Sequence, residues 1–334
     1  MAIAGENFDG HEHVAAAAAA GAVAALVSRA VDAPLPQVVV GDTVEALGSL
    51  ARMLQAGRSG QDVVAITGSN GKTSVKELLL AILRRLGPVT ASPGNRNNEI
   101  GLPLAIIDAD DAARFAVYEM GAGKPGDIAY LAAIARPRVA LVNNVAPAHL
   151  ERMGNLLGVA DTKAAIYDAL PADGVAVINA DDAFAPFFAE RAHGRRLLRF
   201  GLDAEADIRA RDLRSGDDGM HFTLVTPDGE AEAMVPMPGR HNVANALAAA
   251  TLALACGVGL DDIVAGLREA GSVAGRLVRH RLPGGVVLVD DSYNANPGSL
   301  NAAIDTLAAA PGEAWLVLGD MRELGADAQP LHEQ

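Results

Sequence analysis

Apolar positions along the chain follow two alternating patterns. Short unbroken runs such as Val63-Val64-Ala65-Ile66 have no helical period and predict strands buried on both faces. Longer stretches such as Val75, Leu78, Leu79, Ile82, Leu83 and Leu86 recur at helical spacing. On this basis 114–120, 138–143 and 174–179 are further strands, with helices at 101–107, 126–135 and 159–170 between them. Such alternation predicts a parallel sheet with helices on both faces. Segments 208–213, 220–226 and 230–237, with a turn at Pro227-Asp228-Gly229, predict an antiparallel patch before helices at 241–255 and 260–270.

Before this region, helices near 13–30 and 43–56 flank a short strand at 37–40. After it, strand 286–289, helix 298–310 and strand 314–318 open another unit. The resulting division is 1–57, 58–273 and 274–334, with a linker near 56–60. Met1-Ala2-Ile3-Ala4 resembles the end of a strand, and the last unit has too few elements for a full sheet. Both ends therefore read as clipped.

The connection after the first buried run carries the chemistry. Thr67 to Gly71 is dense in Gly, Ser and Asn, and Lys72-Thr73-Ser74 opens the helix. Strand, glycine turn and helix start form an anion cradle, because backbone N–H groups and the positive end of the helix dipole face the same point. Lys72 adds a point charge for the outer phosphates, and the Thr73 hydroxyl is placed to reach magnesium. The spacing is G-x-x-G-K-T, two residues shorter than the usual phosphate loop.

Polar residues recur at the ends of the other predicted strands, where open α/β sheets bind ligands. Glu119 ends one, Asn143 and Asn144 the next with His149 shortly after, and Asn179, Asp181 and Asp182 another. A carboxylate at Glu119 and an imidazole at His149 near bound phosphates are candidate magnesium ligands. Two other motifs are set aside. Gly121-Ala122-Gly123-Lys124-Pro125-Gly126 lacks the acid about twenty residues on that a dinucleotide site expects. His11-Glu12-His13 puts two imidazoles on diverging sides of a helix, so it reads as a loop and helix entry.

Composition narrows the partners. With 334 residues, half of them apolar, the chain can build two or three cores. Its formal charge of −14 argues against nucleic acid or an anionic membrane as partner. The single cysteine, Cys256, suits a reducing compartment. The longest uncharged apolar run, 14–27, is too short to span a bilayer and follows acidic residues rather than a basic leader. The expectation is a soluble cytoplasmic protein.

Together the motifs resemble the Mur ligases. The likeness rests on T-G-S-N-G-K-T-S at 67–74, G-N-R-N-N-E-I-G-L-P at 94–103, Y-E-M-G-A at 118–122 and A-H-L-E at 148–151. It continues through N-A-D-D at 179–182, G-R-H-N-V-A-N-A at 239–246, D-D-S-Y-N-A-N-P at 290–297 and L-G-D-M at 318–321. The resemblance implies a central parallel-sheet P-loop ATPase-like domain, flanked by a clipped N-terminal α/β domain and a partial C-terminal Rossmann-like domain.

It further implies ATP bound by Gly68, Ser69, Asn70, Gly71, Lys72, Thr73 and Ser74, with Asn242, Asn245, Arg276, Asp291 and Asn294. Asn97 and Asn98 would face the UDP-sugar. Two Mg2+ ions would be held by Thr73, Glu119, His149 and Lys163. Lys163, fourteen positions after His149, would be carbamylated, which turns a cation into an anionic oxygen donor. The last motifs resemble the family member that joins D-alanyl-D-alanine to UDP-N-acetylmuramoyl-tripeptide through an acyl phosphate, in peptidoglycan precursor synthesis. The expected enzyme is a monomer of that kind. The alternatives are another amide ligase of the superfamily, such as a dipeptide-stage ligase or folylpolyglutamate synthase, a generic nucleotide-binding switch with no bond-forming step, and an inactive ATP-binding fragment.

Overall fold

The computed structural model describes residues 1–334 except 6, 148, 149, 272, 311, 322–327 and 334. Its described residues form three sheets. Near the N-terminus, a tight turn at Gly10–His13 leads into α1 (Val14–Ala19), and β1 (Ala25–Val27) pairs in parallel with β2 (Gln37–Val39). Helix α2 (Thr43–Gly57) follows, its first turn capped by the Asp42 carboxylate, which accepts from the amides of Val44 and Glu45. Ala51 on α2 packs on the face of the central sheet.

That sheet has nine strands: β3 (Asp62–Thr67), β4 (Val89–Ala91), β5 (Phe115–Glu119), β6 (Val139–Val142), β7 (Val175–Asn179), β8 (Arg196–Gly201), β9 (Ile208–Gly216), β10 (Gly219–Thr226) and β11 (Gly229–Val235). Their spatial order is β11-β10-β9-β8-β7-β6-β3-β5-β4. Neighbours from β4 across to β9 run parallel, and β9, β10 and β11 are antiparallel. From β3 the chain moves outward to β4, returns to β5, then crosses to β6 on the other side. β3 therefore stands at the reversal point where such sheets leave a crevice.

Residues of β3 alternate between two cores. Val64 and Ile66 join a cluster with α3 (Lys72–Leu83), α9 (Arg240–Ala255) and α10 (Leu260–Glu269). Val63 and Ala65 join the opposite cluster, with α4 (Gly101–Ile107), α5 (Asp127–Ala135), α7 (Leu156–Asp168) and α8 (Ala185–Arg191). A short α6 (Leu150–Met153) precedes α7. Two-sided burial explains why these strands read as continuous apolar runs. The third sheet pairs β12 (Val278–Arg281) with β13 (Val287–Asp290) antiparallel, and α11 (Pro297–Ala308) follows with a capping box at Asn296. Among the described residues no helix is long and apolar enough to cross a membrane.

Two expected elements differ. The helix expected over 13–30 ends at Ala19, Gly21 takes φ 100°, and Ala25–Val27 is a strand. Alanine favours helix, but glycine at positive φ ends one, and Val27 gains a buried place beside β2. The strand expected at 314–318 does not form: Trp315 is 81% and Val317 93% exposed, and neither has a ladder partner. Strand β8, with Arg196 and Arg199 in its run, was not anticipated, yet it joins the antiparallel patch to the parallel sheet.

Candidate functional site

Strand register brings the polar strand ends to one edge. Ile66 pairs with Glu119 across β3 and β5, Thr67 with Val142 across β3 and β6, and Val142 with Ile178 across β6 and β7. Glu119, Asn143 and Asn179 thus arrive beside the turn that leaves β3. The Thr67 hydroxyl donates to the Met120 carbonyl at 2.9 Å and fastens β3 to the end of β5.

The turn is held open by glycines and braced by asparagines. Gly68 (φ 152°) lies so close to Asn143 that a Cβ there would sit 3.0 Å from the Asn143 Cβ. Gly71 caps α3 at φ 78°, where a Cβ would meet the side chains of Asn245 and Asn143 at 2.5 and 2.6 Å. Only glycine fits both the backbone and the approach. The Asn70 amide donates to Asn144 Oδ1 at 2.8 Å, and Asn143 Nδ2 donates to the Asn70 carbonyl at 3.0 Å. Ser69 Oγ donates to the Ala146 carbonyl at 3.1 Å and accepts from its amide at 2.9 Å.

Behind the turn, Asn143 Nδ2 also reaches Asn245 Oδ1 (3.3 Å), and Asn245 Nδ2 donates to Asn242 Oδ1 (3.2 Å). Both Asn242 and Asn245 are buried. Asn143, Asn144 and Asn179 had been noted only as strand-end polar residues; the structure makes them the frame of the turn. Asp182, also noted there, accepts from the Val145 amide at 2.7 Å, and burial pushes its carboxyl above the usual range. Asp181 instead ties the turn at 202–204.

Lys72 Nζ lies over the turn, donating to the Gly68 carbonyl at 2.9 Å. Desolvation pushes its pKa down, the Glu119 carboxylate opposes this, and the Arg276 guanidinium adds to it. Glu119, buried, is fixed at both oxygens: Thr73 Oγ1 donates to Oε2 and Asn97 Nδ2 to Oε1, each at 2.9 Å. Arg276 Nη2 donates to Thr73 Oγ1 at 3.2 Å, and its guanidinium stacks 4.5 Å over the Tyr293 ring.

Two cavities open here, each of ≈ 370 Å³. The first is lined by Ser69, Asn70, Gly71, Lys72, Thr73 and Ser74, and by Glu119, Asn242, Asn245, Arg276, Asp291 and Asn294. His241, Tyr293 and Asn296 line it as well and had not been singled out. Their signal was present, since they lie inside the 239–246 and 290–297 motifs. The second is lined by Gly68, Asn98, Lys163, Arg152 and the 121–124 turn. Ser69, Lys72 and Asn97 border both cavities. In the 121–126 motif, the Gly123 and Lys124 amides are occupied by the Asp127 carboxylate, each at 2.9 Å.

Lys163 is almost fully buried on α7, and burial with the nearby Lys72 charge brings its pKa down to about 7. His149 lies outside the described residues. Among the described residues no three His, Cys, Asp or Glu side chains gather into a metal cage. Magnesium does not need one: it is held through one or two carboxylates with substrate phosphates. The Thr73–Glu119 pair beside the anion cradle fits that donor set.

Comparisons with known proteins identify the family. The family description "Mur ligase middle domain" matches 66–253, and "Mur ligase, glutamate ligase domain" matches 275–334. The chain is 45% identical, over its whole length and 74% of the relative, to the UDP-N-acetylmuramoyl-tripeptide–D-alanyl-D-alanine ligase of Escherichia coli K12. Its likeness to the same-named enzyme of Haemophilus influenzae is 40%, covering 73% of that protein. A crystal structure of MurF from Acinetobacter baumannii superposes with a TM-score of 0.96 at 38% identity, over 99% of this chain and 72% of that one. MurF from Thermotoga maritima in complex with ADP gives 0.91 at 32% identity, over 99% and 76%.

Proposed function

The chain belongs to the Mur ligase family, and from that premise we propose that it is an ATP-dependent ligase joining D-alanyl-D-alanine to UDP-N-acetylmuramoyl-tripeptide. The observation that carries this reading is the pair of cavities meeting at Lys72: an anion cradle on one side, a second polar hollow on the other. A triphosphate in the first would present its terminal phosphoryl to a carboxylate held in the second.

A carboxylate is a poor acyl donor, so it must first gain a leaving group. Its oxygen attacks the γ-phosphorus, the bond to ADP breaks, and an acyl phosphate forms. The amine of the dipeptide then attacks the acyl carbon, an amide bond forms, and inorganic phosphate and a proton leave. Lys72 would stabilise charge on the phosphoryl in transit, and the turn amides would orient it. Asn242, Asn245, Arg276, Asp291 and Asn294 would hold the nucleotide, and Asn97 and Asn98 the UDP-linked substrate. Thr73 and Glu119, with His149, would hold magnesium, which when bound neutralises phosphate charge.

Lys163 has the environment that carbamylation needs. With a pKa near 7 a large share of its amine is neutral at neutral pH, free to form an N–C bond with CO2 and release a proton. The carbamate would be an anionic oxygen donor beside Lys72, for a second magnesium ion. The same reading carries a cytoplasmic location, because ATP and a UDP-linked precursor are its substrates, and a monomer that holds both cavities in one chain.

Phosphate release from ATP with both substrates is the test. Turnover that requires the tripeptide precursor and D-alanyl-D-alanine together is the expected result. Turnover indifferent to either one, or to their replacement by other amine acceptors, overturns the reading.

A further inference from the structure

Helix α3 carries a second lysine one turn beyond Lys72, and it has no place in the chemistry above. Lys76 is 1% exposed, among the most buried large side chains of the molecule. Its Nζ donates to the carbonyl of Ser92 at 3.0 Å and lies 3.5 Å from that of Gly94. Its carboxylate neighbour is the adjacent Glu77, 3.3 Å away and 36% exposed. Burying an amine costs free energy unless its protons are used, so two inward carbonyls and one half-exposed acid are what hold it there.

Those carbonyls begin the segment that runs from β4 to α4. The segment has no regular structure of its own, yet it delivers two polar side chains to the site. Asn97 Nδ2 donates to Glu119 Oε1 at 2.9 Å, and the Asn97 carbonyl accepts from the Gly121 amide at 2.8 Å. Asn98 accepts from the Gly101 amide at 2.8 Å, fixing the entry to α4, and lines the second cavity. The tip of the segment is thus tied to β5; its base is tied to β5 by the Ser92 amide, which donates to the Val117 carbonyl at 3.2 Å, and, among the described residues, to α3 by the Lys76 side chain.

We propose that Lys76 is a positioning residue: by clamping the Ser92 and Gly94 carbonyls it sets where Asn97 and Asn98 stand, and so shapes the hollow for the UDP-linked substrate without touching the nucleotide. This rests on the function proposed above. The phosphate turn is braced from the other side, by Asn143 and Asn144 with Asn245 behind them, so its own hydrogen bonds do not pass through Lys76; the two halves of the site meet at Glu119, where Asn97 and Thr73 both donate.

Lys76→Met and Glu77→Gln are compared in the full chain. Lys76→Met keeps the side-chain volume and removes the donor. It is expected to speed amide hydrogen exchange across 92–101 about tenfold or more, and to raise KM for the UDP-linked precursor about 10–100-fold. ADP affinity by calorimetry should stay within about twofold. Glu77→Gln should leave all three readings within about twofold, since the carbonyls and not the acid are the point of the clamp. Should Lys76→Met not fold, Lys76→Gln, polar but one bond shorter so that it no longer spans both carbonyls, is read the same way. Unchanged exchange in the lysine variants, an equal effect from Glu77→Gln, or precursor KM and ADP affinity weakening together each overturns the proposal. A wild-type chain without ligation would sink the proposed function, while the exchange contrast would still decide what Lys76 holds.

Discussion

Two apolar runs of equal length end in opposite surroundings. Val63-Val64-Ala65-Ile66 lies between β5 and β6 under helices on both faces, and its residues are 0–4% exposed. Val286-Val287-Leu288-Val289 has, among the described residues, only β12 as a ladder partner, through Val287 to Val289, and its residues are 36–59% exposed. No residue of α11 is buried either. The same pattern predicts a strand in both places, but what the strand is worth depends on its neighbours. The site inherits this contrast. Lys72 and Glu119 stand on elements locked into two cores, whereas Arg276, Asp291 and Asn294 reach the cavity from a segment that, among the described residues, is fastened by few polar contacts, chiefly Arg276 to Thr73 and Asn296 to Asn70 at 2.5 Å.

The largest effects should come from the locked side. Lys72→Ala removes the charge proposed to meet the transferring phosphoryl, and phosphate release should fall about 10²–10³-fold with little change in melting temperature. Lys163→Ala should lose activity on a similar scale, partly restored by short-chain carboxylates that stand in for a carbamate. Labelled CO2 should appear on the wild-type lysine as pH rises through about 7, because the neutral amine is the reactive form and the depressed pKa sets where it emerges. Full activity of Lys163→Ala without added carboxylate would remove the carbamate from the mechanism.

Packing gives the next effect. Leu79 on α3 is fully buried, so Leu79→Ala should cost about 2–5 kcal/mol of unfolding free energy in denaturant titrations. A smaller cost would mean that the helix behind the phosphate turn repacks, and that the locked side is softer than its burial suggests. Arg276→Ala probes the loosely held side. ADP affinity should drop about tenfold, as for loss of one charged contact, with unfolding free energy nearly unchanged.

How much was legible in the sequence follows the same divide. The phosphate turn could be read directly, because glycine spacing, Lys72 and the apolar run before them are local features. Strands β3, β5, β6 and β7 could be read because burial on both faces leaves an unbroken apolar signature. Strands β4 and β8 could not: β4 is three residues at the edge of the sheet, and Arg196 and Arg199 break the apolar run of β8, which becomes a strand by pairing with β7 and β9. Nor could the asparagine frame, since its hydrogen bonds join residues up to 102 positions apart. The resemblance to a family supplied what local pattern could not, in the case of Lys163, which on its own reads as a surface charge on a helix and is in fact buried beside Lys72. At 314–318 the local pattern misled, for an apolar run with no adjacent ladder has nothing to pair with.

The smallest effect is the sharpest check on the comparison. Leu288 in β13 is 51% exposed, so Leu288→Ala removes surface that water already reaches, and unfolding free energy should change by no more than about 0.5 kcal/mol. Set beside Leu79→Ala, this is the same chemical deletion in two elements, and the ratio of the two costs measures how differently they are packed. A cost at Leu288 equal to that at Leu79 would mean that the β12–β13 face is covered in solution. In that case Arg276 would rest on packed structure rather than on its bond to Thr73, and its mild predicted effect on stability would have to rise as well.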